Sequence, residues 1–151
     1  MIQNIPTSET LNIEDIKPGM SSSYSKTITG SDVKSYACLS GDNNPVHMSD
    51  EYASQSRYGK RIAHGLLSAG FFSAIFGTKL PGPGCVYVSQ NLIFKRPVYI
   101  GDTVLATVTV AAVDSEKKRV TFNTVCTVRG KLVIEGIAEL FIPGKKRGTK
   151  I

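Results

Sequence analysis

The sequence predicts an α+β fold, with one long apolar helix followed by an antiparallel meander. Two observations carry this. Between Ile62 and Leu80, apolar residues recur at helical spacing and no acidic residue occurs. After Pro81-Gly82-Pro83-Gly84 the period changes, and four segments rich in Val, Ile, Thr and Phe follow.

The first 20 residues read as an irregular lead-in with a turn at Pro18-Gly19. Residues 22–29 (SSYSKTIT) fit an edge strand. Thr29, Ser31 or Asp32 can cap a short helix running to about Leu39. The turn-rich segment SGDNNPVH follows. Ser49 can cap a second short helix over Asp50 to Ser56, with Asp50 and Glu51 near its positive end. Gly59-Lys60 ends it.

In the main helix, Ile62, Leu66, Ala69, Phe72 and Phe76 share one face, with Leu67, Phe71 and Ile75 on the flank. A helix apolar over most of its circumference should be surrounded by protein. The strands are CVYVSQNLIF, TVLATVTVAAV, RVTFNTVCTV and LVIEGIAELFI. Asp114 to Lys118 and Arg129 to Lys131 read as hairpin turns. Val104, Ala106, Val108 and Val110 alternate with threonines, as expected of a sheet with one buried face. There is no repeat and no linker, so the 151 residues read as one domain.

Composition narrows the function. At 41% hydrophobic and 20% charged, the chain is neither disordered nor fibrous. The net charge of +6 is scattered and has no aromatic interleaving, which argues against nucleic acid. Its densest run, Lys145-Lys146-Arg147, lies in a tail over 144–151 that reads as solvated. Cys38, Cys85 and Cys126 make an odd count without a CxxC pair, as free thiols in a reducing compartment would. The N-terminus resembles neither a signal nor a transit peptide, and Ile62–Leu80 is too polar for a membrane span. A cytoplasmic protein is expected.

The chemistry concentrates in Ser40-Gly41-Asp42-Asn43-Asn44-Pro45-Val46-His47. Asp42 and His47 stand five residues apart across a proline. A turn stiffened by Pro45 lets both side chains point into one cleft. A carboxylate and an imidazole held together are what adding water needs, because one proton must be taken and one given.

Two blocks, SGDNNPVHMSDEYA and RIAHGLLSAGFFSAIFG, resemble the MaoC-like, R-specific enoyl-CoA hydratase family, and FKRPVYIGDTV resembles a third family block. The resemblance implies a hot-dog fold, with the antiparallel sheet wrapped around the long helix. It implies reversible hydration of a trans-2-enoyl-CoA to the (R)-3-hydroxyacyl-CoA. Asp42 and His47 would be catalytic, with the order of acid and base open. An Asp42 acting as acid would need an apolar setting. The backbone amide of Gly65 would hold the thioester oxygen at a helix N-terminus. Asn44 and Pro45 would shape the loop. His64 reads as a buried histidine that positions the turn at Gly65. The family's frequent serine after Ala69 is replaced by Gly70, which removes a hydrogen bond expected of short-chain relatives.

Tyr87 and Phe94 are candidates to line an acyl tunnel, and Lys95 and Arg96 to meet CoA phosphates. No cofactor is expected, since CoA is part of the substrate. No metal is expected either, because His47 and His64 are the only histidines and show no ligand spacing. A homodimer is implied by the family. Close alternatives are a (R)-3-hydroxyacyl-[acyl carrier protein] dehydratase and an acyl-CoA thioesterase. The lack of an acid on residues 62–80 argues against the thioesterase, and the Asp42/His47 pair against a non-catalytic binding module.

Overall fold

A computed structural model describes residues 10–144 of the chain; the basic run Lys145-Lys146-Arg147 lies outside them. The order of elements is β1 (Ser21–Thr27), α1 (Gly30–Ser40), α2 (Pro45–Met48), α3 (Asp50–Gln55), α4 (Gly65–Thr78), β2 (Val86–Gln90), β3 (Ile93–Phe94), β4 (Thr103–Asp114), β5 (Arg119–Val128) and β6 (Lys131–Phe141). The strands form one antiparallel sheet in the order β1-β4-β5-β6-β2, with β3 also paired to β6. Helix α4 packs against one face of the sheet, as the hot-dog expectation requires.

The buried stripe of α4 is Ser68, Ala69, Phe72, Ile75 and Phe76. Facing it are Ala106, Val108, Phe122, Ala138 and Leu140, all fully buried. Phe76 meets Phe122 edge to face at 4.8 Å. Fully burying a side chain of this size contributes about 1.5–3 kcal/mol. Strand β4 buries Val104, Ala106, Val108 and Val110 alternately, as its sequence predicts. The β5–β6 turn places Arg129 and Gly130 both at positive φ, a geometry that favours glycine and matches strand twist.

Four expectations need correction. The helix begins at Gly65, not Ile62, because Ile62 instead bridges to Tyr99 and Ala63 N–H donates to the Val98 carbonyl at 2.7 Å. Leu66 is 57% exposed rather than core, and Gly70, Ser73 and Ala74 beside it are also bare. The sheet covers only one side of α4. Residues 85–94 form two short strands, with a register shift at Tyr87/Ser89, because this segment runs along the sheet edge. The lead-in is also less irregular than expected. Ile13–Asp15 form a 3-10 turn, and Ile13 and Ile16 dock into the core.

Candidate active site

The site is built on a loop whose shape is locally encoded. Thr29 and Asp32 form a reciprocal capping box that starts α1. Gly41, at φ 80°, ends it. The Asp42 carboxylate accepts the Asn44 N–H at 3.1 Å, and the Asn44 side chain accepts the Val46 N–H at 3.2 Å. Pro45 occupies the first turn of α2, where its missing N–H costs nothing. Asp42 and Asn44 are thus turn-forming residues as well as motif residues. One Asp42 oxygen, Oδ1, is engaged by the loop.

Tertiary contacts bring the second block to the first. Ile62 N–H donates to the Val46 carbonyl at 3.3 Å, and His47 Nδ1 lies 2.8 Å from the Ile62 carbonyl. A carbonyl only accepts, so Nδ1 carries a proton, and the neutral tautomer with this arrangement is the one that leaves Nε2 bare. His64 Nε2 likewise donates to the Asp42 carbonyl at 2.9 Å. The two imidazoles stack with centroids 4.0 Å apart and a 33° tilt, and Tyr36 packs on His64 at 4.7 Å. His47 and His64 are buried, whereas Asp42 is exposed at the rim.

Donor atoms of Asp42, His47 and His64 all lie within 4.8 Å of one another. Two hydrogen bonds of about 2.8 Å each let one water bridge atoms at that separation. A metal fits less well. Imidazole lone pairs lie in the ring plane, and two stacked rings do not aim theirs at a common point ~2.0 Å from each.

Gly65 opens α4, so its N–H has no intrahelical partner, and no other acceptor takes it among the described residues. The helix dipole favours negative charge there. Phe94 packs directly on Gly65.

Asp42, His47, His64 and Gly65 line a cleft of about 490 Å³, together with Phe94, Lys95 and Arg96. Lys95 is ion-paired to Glu135 at 2.8 Å, and Arg96 donates to the Leu132 carbonyl at 2.7 Å. Tyr87 is not in this cleft. It borders a second groove of about 390 Å³, with Gly70 and Ser73, that shares Leu66 with the first. Burial pushes the Tyr87 hydroxyl up to about 12. Asn44 and Pro45 shape the loop without lining the cleft.

One expectation about the site changes here, and one condition is not met. His64 is not fully satisfied: its Nδ1 is buried with no partner among the described residues, while its other nitrogen ties the Asp42 loop to the start of α4. Nor does Asp42 sit in apolar surroundings, because the loop lies at the cleft's mouth. Sequence reasoning missed Tyr36, Arg57 and Leu66 as cleft residues. Tyr36 carried only a weak signal, its place on α1 one turn before Ser40, and nothing local marked the other two.

Residues 13–136 match the model of the MaoC-like domain family. The chain belongs to this family. A MaoC-like relative from Rhodospirillum rubrum, an (R)-specific enoyl-CoA hydratase, is 58% identical over 87% of this chain and 92% of its own. The 3-hydroxybutyryl-CoA dehydratase of Methylorubrum extorquens is 42% identical over 97% of this chain and 94% of its own. Among solved MaoC-like structures, the (R)-hydratase from A. caviae superposes with a TM-score of 0.84 at 35% identity, covering 86% of this chain and 99% of that one. A MaoC-like chain of this kind is a hydro-lyase of the hot-dog class.

Proposed function

We propose that this protein catalyses the reversible, R-specific hydration of trans-2-enoyl-CoA to (R)-3-hydroxyacyl-CoA. The observation that carries the reading is the convergence of Asp42 and His47, within 4.8 Å, on a cleft that also holds the free amide of Gly65. The names of the R. rubrum and A. caviae relatives support it.

In this reading the thioester oxygen accepts the Gly65 N–H, which stabilises the enolate-like charge that develops there. A fixed donor of this kind contributes about 3 kcal/mol. One water donates its two hydrogens to the Asp42 carboxylate and to His47 Nε2, leaving a lone pair for Cβ. As the O–Cβ bond forms, a proton passes from water to His47. The enolate so formed then takes at Cα, from the same side, the proton that His47 Nε2 has just accepted, so addition is syn and the His47 ring returns to its starting state. The apolar setting that would favour Asp42 as the proton donor is not found around it, and its part is to hold and orient the water. No cofactor enters these steps.

The second part of the proposal is a homodimer. Leu66 on α4, Val88 and Phe94 on the β2/β3 edge and Ile137 on the neighbouring β6 are 44–57% exposed. A second copy would cover this apolar surface, which is a liability on a lone chain. Sedimentation at micromolar concentration should give a dimer, and a monomer alone would refute it. Among the described residues no helix is long and apolar enough to cross a membrane. With the three free cysteines, a cytoplasmic location is the reading we favour.

The decisive experiment is incubation with crotonyl-CoA, following loss of the conjugated chromophore and resolving product chirality. An (R)-3-hydroxybutyryl product supports the proposal. Release of free thiol, or an S product, overturns it. Parallel rates on crotonyl-[acyl carrier protein] decide between the two carriers.

A further inference from the structure

We infer that Arg57 is a specificity residue that binds a phosphate of the substrate's thioester carrier. The inference rests on the hydration reading above and deepens it. A cleft of about 490 Å³ can take a short acyl group and its thioester, but not a nucleotide-bearing carrier. The carrier must leave through the mouth, where its phosphates meet whatever cations line it.

Three cations line the cleft: Arg57, from the turn after α3, and Lys95 and Arg96, which follow β3. Two are already engaged, Lys95 with Glu135 and Arg96 with the Leu132 carbonyl. Arg57's own neighbours in the segment Arg57-Tyr58-Gly59-Lys60-Arg61 are engaged too. Arg61 donates to Asp50 at 2.8 Å, and the Lys60 ammonium lies 4.7 Å over the Tyr99 ring. Arg57 makes no ion pair among the described residues, and its guanidinium rests 5.6 Å from the Tyr58 ring centroid. It is the cleft cation whose fork of N–H donors remains open, and a phosphate matches that fork in two parallel hydrogen bonds. The Tyr58 ring supports the guanidinium from one side, and the Tyr58 carbonyl is fixed by the Tyr99 hydroxyl at 3.0 Å. The donor is thus mounted on an anchored turn.

The phosphate has two possible sources, the nucleotide of CoA and the phosphopantetheine shared with acyl carrier protein. The test compares Arg57→Gln with the parent protein on three crotonyl thioesters. These are crotonyl-CoA, crotonyl-phosphopantetheine and the phosphate-free N-acetylcysteamine ester. The kcat/KM ratio of crotonyl-CoA to the phosphate-free ester should fall roughly ten-fold, through KM, as expected for one exposed charge-assisted contact. Arg57→Lys should recover part of it. If crotonyl-phosphopantetheine loses as much as crotonyl-CoA, the contact is to the pantetheine phosphate; if only CoA responds, it is to the nucleotide.

Equal losses on all three esters, or no change on any, would overturn the role. Calorimetric titration with free CoA reads the same contact without turnover. Weaker binding to Arg57→Gln would support the inference even if hydration itself failed, and unchanged binding would refute it.

Discussion

A β-carbon placed on Gly65 would lie 2.5 Å from Cε1 of Phe94. Only a glycine lets the half-exposed Phe94 ring pack over the first turn of α4, and the same residue presents the free N–H. Gly65→Ala must therefore displace either the ring or the amide. Because Phe94 is at the surface, the fold should survive with little change in melting temperature. Turnover of crotonyl-CoA should fall by roughly 10²–10³, the usual effect of losing an oxyanion donor. Gly65→Ala/Phe94→Ala should regain part of that loss by removing the clash. Full activity in the single variant would show that the amide is not used.

Asp42→Asn and His47→Gln should each lower kcat by roughly 10²–10⁴. Both groups act on one water, so the double variant should be little worse than the poorer single one. Circular dichroism should stay native, since Asn keeps the oxygen that accepts the Asn44 N–H and Gln keeps an N–H donor for the Ile62 carbonyl. Near-parent rates in both variants would remove these residues from the chemistry.

The capping box makes stability depend on acid. The Asp32 carboxyl lies below its ordinary 3.8, chiefly because it accepts the Thr29 backbone N–H, with the Thr29 hydroxyl and Lys26 adding to this. Its contribution is therefore present above pH 3.8 and is lost as pH falls through the lower folded value. Asp32→Ala should cost about 0.5–1 kcal/mol at pH 7 in urea denaturation. That difference should shrink as pH falls below 3.8; a gap that persists in strong acid would mean that packing, not charge, carries the effect.

Cysteine reactivity should separate by burial. The Cys126 thiol is buried beneath α4, and burial pushes it up to about 12. Cys38 is exposed on α1. Iodoacetamide at pH 7.5 should label Cys38 in the native protein and Cys126 only after unfolding. Labelling of Cys126 at a comparable native rate would indicate that α4 lifts readily from the sheet.

Much of the fold was legible because its signals are local. The alternation in β4 and the turn at Arg129-Gly130 each lie within a few residues and formed where the sequence placed them, and of the three cap candidates Thr29 took the position, with Asp32 as its capping-box partner. The start of α4 was misplaced by three residues because Ile62 and Ala63 have helix-compatible side chains, but Ile62 spends its N–H on Val46 and its carbonyl on His47, and Ala63 spends its N–H on Val98. Leu66 was misread as core because periodicity reports which faces are apolar, not which of them the chain itself covers.

The sequence by itself determined that Asp42 and His47 flank a proline-stiffened turn, that a long apolar helix precedes Pro81-Gly82, and that a strand meander follows. Those features depend on bonding within a few residues. Only the tertiary structure decided that the Ile62 carbonyl would orient His47, that His64 would tie the Asp42 loop to α4, and that Arg57 would reach the cleft with no ion pair among the described residues. The physical reason is that these contacts join segments 15 to 22 residues apart or more. Their geometry is set by how the helices seat on the sheet, and no local spacing encodes it.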